Sequence, residues 1–235
     1  IEVLVARNLR VAVLCVDPSS AFNRGALLGD RIRMSSWYTH PNVFIRSLAT
    51  RGSLGGLNPK IIEITDVLKA APFDHIIIET VGVGQTEVEI AGLADTTVVV
   101  LVPEGGDEVQ TMKAGLMEIA DVFVVNKSDR PGADLFVKHL RQMMAPAFLR
   151  SAWPIEILKT AAAQKEGIEE LLSAIERHHA AAEGTGRRSW LLAEKAWQLI
   201  QNGKMKGLRK EELREKIQAG LNGSFNLYRF VQQYL

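Results

Sequence analysis

Asn126, Lys127, Ser128 and Asp129 follow the apolar run Asp121 to Val125, and their types and spacing suit recognition of a base. A carboxylate only accepts hydrogen bonds and has two oxygens, so Asp129 matches the N1–H and N2–H donors on one edge of a guanine ring. Adenine presents no such pair there. Asn126 either bonds the base or ties neighbouring loops together, and the aliphatic stem of Lys127 lies over the ring with its ammonium directed outward. Four polar residues after a strand also form ordinary Asx turns. The assignment therefore depends on what the rest of the chain brings to the same place.

Three further groups fall after apolar runs. Glu79 closes the run from Asp74 and is followed by Thr80, Val81, Gly82, Val83, Gly84 and Gln85. An acidic residue ending a buried strand, then a glycine whose N–H can meet a γ-phosphate, is the local design of the second phosphate and magnesium motif in P-loop NTPases. This makes Glu79 and Gly82 candidate catalytic residues, with Gln85 a candidate for orienting water. Asp17 follows the run Arg10 to Val16 and precedes Pro18, Ser19 and Ser20, where a helix cap or Asx turn is the alternative reading. Thr160, Ala161 and Ala162 follow Pro154 to Lys159, and their small side chains and backbone amides would allow close approach to the guanine O6.

The elements that must position these residues are strands buried on both faces, as continuous apolar runs imply for a parallel sheet. Ligand-binding groups of such sheets gather beyond the carboxyl ends of the strands. Helical spacing appears between the strands: Pro59 to Ala71, with Ile61, Ile62, Ile64, Val67 and Leu68 on or near one face, then Glu108 to Ile119 capped by Asp107, Ala133 to Met144, and Gly167 to His178. The alternation predicts an α/β fold with a doubly wound, mainly parallel sheet. Ala21 to Gly56 reads as glycine-rich loops around a short extended piece, Val43 to Ser47, suited to contacting phosphate or a partner. Trp37, Tyr38 and His40 read as packing, and His75 as a core or edge residue.

After Glu183 to Gly186 no strand pattern remains. Ser189 to Gln201, Lys210 to Ala219 and Ser224 to Leu235 read as helices, with apolar stripes at Leu191, Leu192, Trp197, Leu199 and Ile200 and at Phe225, Leu227, Tyr228, Phe230 and Val231. Such an arm makes little core alone and must pack on the sheet domain or a second subunit, with dimerisation favoured. The expected division is a nucleotide-binding domain over 1–182 and a helical arm over 187–235.

Composition bounds the rest. The 235 residues are 47% hydrophobic, with 28 basic and 27 acidic side chains and a formal charge of +1. No basic field points to nucleic acid or anionic membrane. The one cysteine, Cys15, sits in an apolar run, so one chain can build neither a disulfide nor a cysteine metal site. No apolar run approaches the ~20 residues that span a bilayer. A soluble cytoplasmic or organelle-matrix protein is expected.

Taken together, Asp17 to Ser20, Gly25 to Met34 with Asp30, Arg51 to Gly56, Glu79 to Gln85, Gly106 and Asp107 with Lys113 to Gly115, and Asn126 to Asp129 resemble the MeaB/ArgK family. These are GTPase chaperones of adenosylcobalamin-dependent methylmalonyl-CoA mutase, the group that includes the human methylmalonic aciduria type A protein. The match is strong over about residues 10–182 and looser over the arm. The resemblance implies a P-loop GTPase fold of the signal-recognition and MinD-like class, GTP/GDP as ligand, and Mg²⁺ surrounded by Asp17, Asp30 and Glu79. It also implies a homodimer formed through the C-terminal arm and slow GTP hydrolysis stimulated by the mutase. Gly25 to Arg33 and Val83 to Glu89 would be nucleotide-sensing switches, and Pro103 to Gly115 a further switch facing the mutase.

One departure is that no Gly-x-x-x-x-Gly-Lys-Ser/Thr occurs in these residues. Because Ile1 to Asn8 reads as the end of a helix, the phosphate loop is expected upstream of Ile1. Three rival readings are a nickel-insertion metallochaperone GTPase, a phosphotransferase linked to basic amino-acid transport, and a non-catalytic dimerisation module. The first would want a metal-collecting cluster, and among five histidines only His178 and His179 are adjacent.

Overall fold

The structure is a computed structural model and describes residues 1–17, 33–49, 58, 60–80, 90–103, 119–148, 153–182, 187–221 and 225–234. It divides into two compact units, Ile1–Leu192 and Ala193–Leu235.

In the first unit the chain runs α1 (Glu2–Ala6), β1 (Val11–Asp17), β2 (Val43–Ala49), α2 (Ile61–Lys69), β3 (His75–Thr80), β4 (Val98–Leu101), β5 (Val122–Val125), α3 (Ala133–Phe148), β6 (Glu156–Lys159) and α4 (Ile168–Ala182). Every strand pair is parallel. The strands form two three-stranded sheets, ordered β2-β1-β3 and β4-β5-β6. The two central strands are the most apolar, because each has both edges paired and both faces covered. From Val11 to Val16 nothing in β1 is more than 2% exposed. Ala12, Leu14 and Val16 pack with Ile61, Ile62 and Leu68 of α2, while Val11, Val13 and Cys15 pack with Leu4 of α1 and Leu172 of α4. Each such valine or leucine contributes roughly 1.5–3 kcal/mol by leaving water. In the second sheet, Phe123 and Val125 of β5 meet Phe136, Val137, Leu140 and Met144 of α3, whereas Val122 and Val124 meet Ala174 of α4. Helix α4 thus packs against side chains of both sheets.

Four sequence expectations are corrected. The piece expected over Val43 to Ser47 is a seven-residue strand in register with all of β1, from Val11↔Val43 to Asp17↔Ala49. Its outer-edge position explains the mixed composition, with Phe44 and Arg46 exposed. Burial of every apolar run holds for β1 and β5 but not for β3 and β4, each an outer strand among the described residues; Ile77 is 37% and Val100 58% exposed. Val67, expected on or near the buried face of α2, is 69% exposed, because at about 100° per residue it falls opposite Thr65 and at least 100° round the helix from Ile61 and Leu68. The last helix is shorter than Ser224 to Leu235.

The second unit contains the end of α5 (Arg187–Met205), α6 (Lys210–Gly220), α7 (Leu227–Val231) and a 3₁₀ turn, Gln232–Tyr234. Asn226 caps α7 by accepting from the Arg229 N–H at 3.0 Å. Phe230 lies 5.9 Å from Phe225 and 5.3 Å from Tyr234, with the Lys216 ammonium over the Tyr234 ring. Trp197, Ile200, Leu227 and Tyr228 of the expected stripes are exposed.

Candidate functional site

The loop after β5 is held by its neighbours on both sides. The Asn126 N–H donates to the Leu101 carbonyl at the end of β4 (2.8 Å), and the Thr160 N–H donates to Val125 at 3.0 Å. The Ser128 N–H in turn donates to the Thr160 carbonyl at 3.0 Å. Lys127 adopts φ +57°, a left-handed conformation uncommon outside glycine that turns the chain sharply here.

Side chains complete the junction. Asn126 Oδ1 accepts from the Thr160 hydroxyl and from the Ala162 N–H, each at 3.1 Å. Of the two roles open to Asn126, tying loops together is the one seen. Thr160 is 2% and Ala161 1% exposed. The Ala161 N–H and C=O are paired with Glu166 at 3.1 and 3.2 Å, which leaves Ala162 as the exposed member of the three. Asp129 is exposed, and its Oδ2 lies 3.4 Å from Gln164 Nε2. Sequence reasoning missed Gln164, whose only signal is that it lies two residues beyond Ala162.

On the other sheet, Cys15 pairs with Glu79 and Val16 with Thr80, so Asp17 and Glu79 fall at the carboxyl ends of neighbouring strands. Glu79 Oε2 accepts from Arg33 Nη2 at 2.9 Å in a half-exposed pair. Gly82, Gln85 and Asp30 lie outside the described residues, as do the expected switches apart from Arg33 and Pro103, and helix Glu108 to Ile119 apart from its last residue. Among the described residues no group of three His, Cys, Asp or Glu side chains could hold a metal. Hard carboxylate oxygens at adjacent strand ends are the donor type Mg²⁺ takes, and a carboxylate bonded once to Arg33 keeps lone pairs for an ion.

Two further clusters bear on the site. His178 on α4 is buried: its Nε2 is 3.3 Å from Asp121 Oδ1, its Nδ1 2.9 Å from the Thr96 hydroxyl, and Trp153 stands edge-on at 5.2 Å. This is a packed polar cluster, and it takes His178 out of any metal-collecting pair with His179. Asp134 at the start of α3 accepts from Lys159 Nζ at 2.8 Å, which holds its carboxyl below the ordinary value of 3.8. A groove of about 690 Å³ runs between α3, β6 and α4, lined by Lys138, Arg141, Ile157 and Glu170 among others, and includes none of Asn126, Asp129 and Thr160. Among the described residues no helix is long and apolar enough to cross a membrane.

Residues 1–219 match the family described as Methylmalonyl Co-A mutase-associated GTPase MeaB. An inferred GTPase of Pyrococcus abyssi is 49% identical over 77% of this chain and 56% of its own length. The mitochondrial methylmalonic aciduria type A homolog of Caenorhabditis elegans is 36% identical over 74% of this chain and 45% of its own. The chain therefore spans about half the length of these curated relatives. The crystal structure of an LAO/AO transport system kinase aligns with 99% of this chain and 73% of that one, at 25% identity and a TM-score of 0.62. HypB from Helicobacter pylori, solved in complex with nickel, aligns with 74% of this chain and 77% of its own at 18% identity and a TM-score of 0.54, a likeness of fold alone.

Proposed function

The chain belongs to the MeaB family of methylmalonyl-CoA mutase-associated GTPases, and from that premise we propose that it binds GTP and GDP through Asn126, Lys127, Asp129 and Ala162. We further propose that it serves as a nucleotide-switched chaperone for adenosylcobalamin loading of methylmalonyl-CoA mutase. The observation that carries the reading is the junction just described: Asn126 holds the exposed Ala162 amide while Asp129 stands free of the core on the same turn. An exposed acceptor-only carboxylate is complementary to the N1–H/N2–H edge of guanine, and the adjoining loop is pinned beside it through the Ala162 N–H that Asn126 Oδ1 accepts.

Hydrolysis of GTP to GDP and phosphate would rest on positioning and charge neutralisation. Mg²⁺ would be held near Asp17, Asp30 and Glu79, where it would neutralise phosphate charge. Gly82 would meet the γ-phosphate and Gln85 is the candidate for orienting water. The turnover proposed is slow and partner-stimulated. The exposed Trp197, Ile200 and Tyr228 support a homodimer formed through the arm.

The test uses the full-length protein: GTPase rates with and without a cobalamin-dependent mutase, and co-elution of the two. Stimulation and a complex are expected, and the absence of both would sink the partner assignment. For the base site, Asp129→Asn should transfer preference from guanine to xanthine nucleotides, whose C2 carbonyl reverses one donor. Unchanged guanine preference would refute the pocket.

A further inference from the structure

We infer that Gln164 is a specificity-determining positioning residue, which holds the Asp129 carboxylate in the plane needed to meet both guanine donors; this rests on the guanine reading above. Asp129 is exposed, and a terminal aspartate torsion occupies a broad, two-fold well, so nothing in its own rotamer fixes the plane of its oxygens. A two-toothed contact with N1–H and N2–H requires that plane to be fixed. The Gln164 Nε2 donor lies 3.4 Å from Asp129 Oδ2, at the long end of hydrogen-bond range. Each carboxylate oxygen has two lone pairs, so Oδ2 can accept from the amide and from a base donor together.

The amide can act as a positioned donor because its backbone is fixed from several directions. The Gln164 N–H donates to the Ala161 carbonyl at 2.9 Å, and the Lys165 N–H to Ala162 at 3.2 Å. Ala161 and Glu166 close the turn with an antiparallel bridge. Lys165 Nζ reaches Glu2 Oε1 on α1 at 2.5 Å. Gly167 seals the end of the turn at φ +74°, so close to Lys159 that an added Cβ would stand 2.2 Å from its carbonyl oxygen. One rigid turn therefore supplies a donor to Asn126 through Ala162 and a donor to Asp129 through Gln164, a supporting shell around the recognition groups.

The test compares binding of GDP and of inosine diphosphate, which lacks the N2 amine, to the full-length protein and to Gln164→Ala and Gln164→Glu. If Gln164 fixes the carboxylate plane, GDP affinity falls more than inosine diphosphate affinity. The GDP preference should drop about threefold in the alanine variant, as for one modest hydrogen bond, and about tenfold in the near-isosteric glutamate variant, where repulsion replaces attraction. A purely structural role would weaken both nucleotides in parallel, and a parallel loss or no change overturns the inference while leaving guanine recognition standing. A wild-type protein that does not prefer GDP overturns the base-site reading and this inference with it.

Discussion

Asn126→Ala should destabilise the protein even with no nucleotide bound, because the side chain holds two loops together. It removes one acceptor from two donors. The Thr160 hydroxyl is buried, and leaving it unpaired costs about 1–3 kcal/mol; the Ala162 N–H is exposed and can turn to water, so its loss adds about 0.5 kcal/mol. The total is about 2 kcal/mol. For a unit the size of Ile1–Leu192 this lowers Tm by about 4–8 °C. Asn126→Asp provides the contrast, since both partners are donors and a carboxylate accepts from each. It should stay within about 0.5 kcal/mol of wild type while losing any amide donation to the base. Thermal and urea unfolding of the nucleotide-free protein, followed by nucleotide binding to all three forms, separate the two roles. If both variants unfold with wild type, Asn126 ties nothing together in the free protein. If aspartate is as damaging as alanine, the account by donors and acceptors is wrong.

Gly167→Ala should cost at least about 2 kcal/mol, since it combines a left-handed φ with a clash against the Lys159 carbonyl, whereas Gly203→Ala in α5, with nothing within 4 Å, should be neutral or stabilising by about 0.5 kcal/mol. Equal urea midpoints for the two would show that the turn can shift freely. The Asp134 carboxyl should titrate below its ordinary value by carboxyl NMR and return to it in Lys159→Ala. A native pKa lower than the unfolded one means that the pair's stabilisation is present above the unfolded value and lost as pH falls through the native one. An unmoved Asp134 titration in Lys159→Ala would dissolve the pair as a solution contact.

Legibility followed burial. β1 and β5 could be read directly because full coverage of both faces forces an unbroken apolar run, and the residues at their ends therefore stood out. The junction of Asn126 with Thr160 and Ala162 was half legible: small residues after β6 suggested close approach, but that the Asn126 carbonyl organises them needed the pairing of β5 with β6. β2 hid behind its outer position among the described residues, where Arg46 and Ser47 break the apolar signal. Partnerships between distant residues left no local trace at all. Arg33 and Glu79 are 46 residues apart, and Gln164 and Asp129 are 35 apart. Their side chains satisfy no periodicity and could only be paired once the strands were in register.

The distribution of polar contacts along β5 explains why the base loop sits where it does. The strand itself is wholly apolar and buried, and dispersion and water exclusion alone would tolerate more than one height relative to α4. The polar ties stand at its two ends. Below, the Asp121 carboxylate accepts from the Thr97 N–H at 2.7 Å and meets His178 of α4 at 3.3 Å; above, Asn126 accepts from Thr160 and Ala162 on the turn that leads into α4. Both sets join β5 to the segment 160–178. A one-residue slip would exchange the two buried apolar faces of β5 and strand a buried carboxylate without its partners. Hydrophobic packing thus makes the strand stable, while these few polar contacts make its register single-valued, and a single register is what holds Asp129, on the loop after β5, at a fixed separation from Gln164 and Ala162, on the turn after β6.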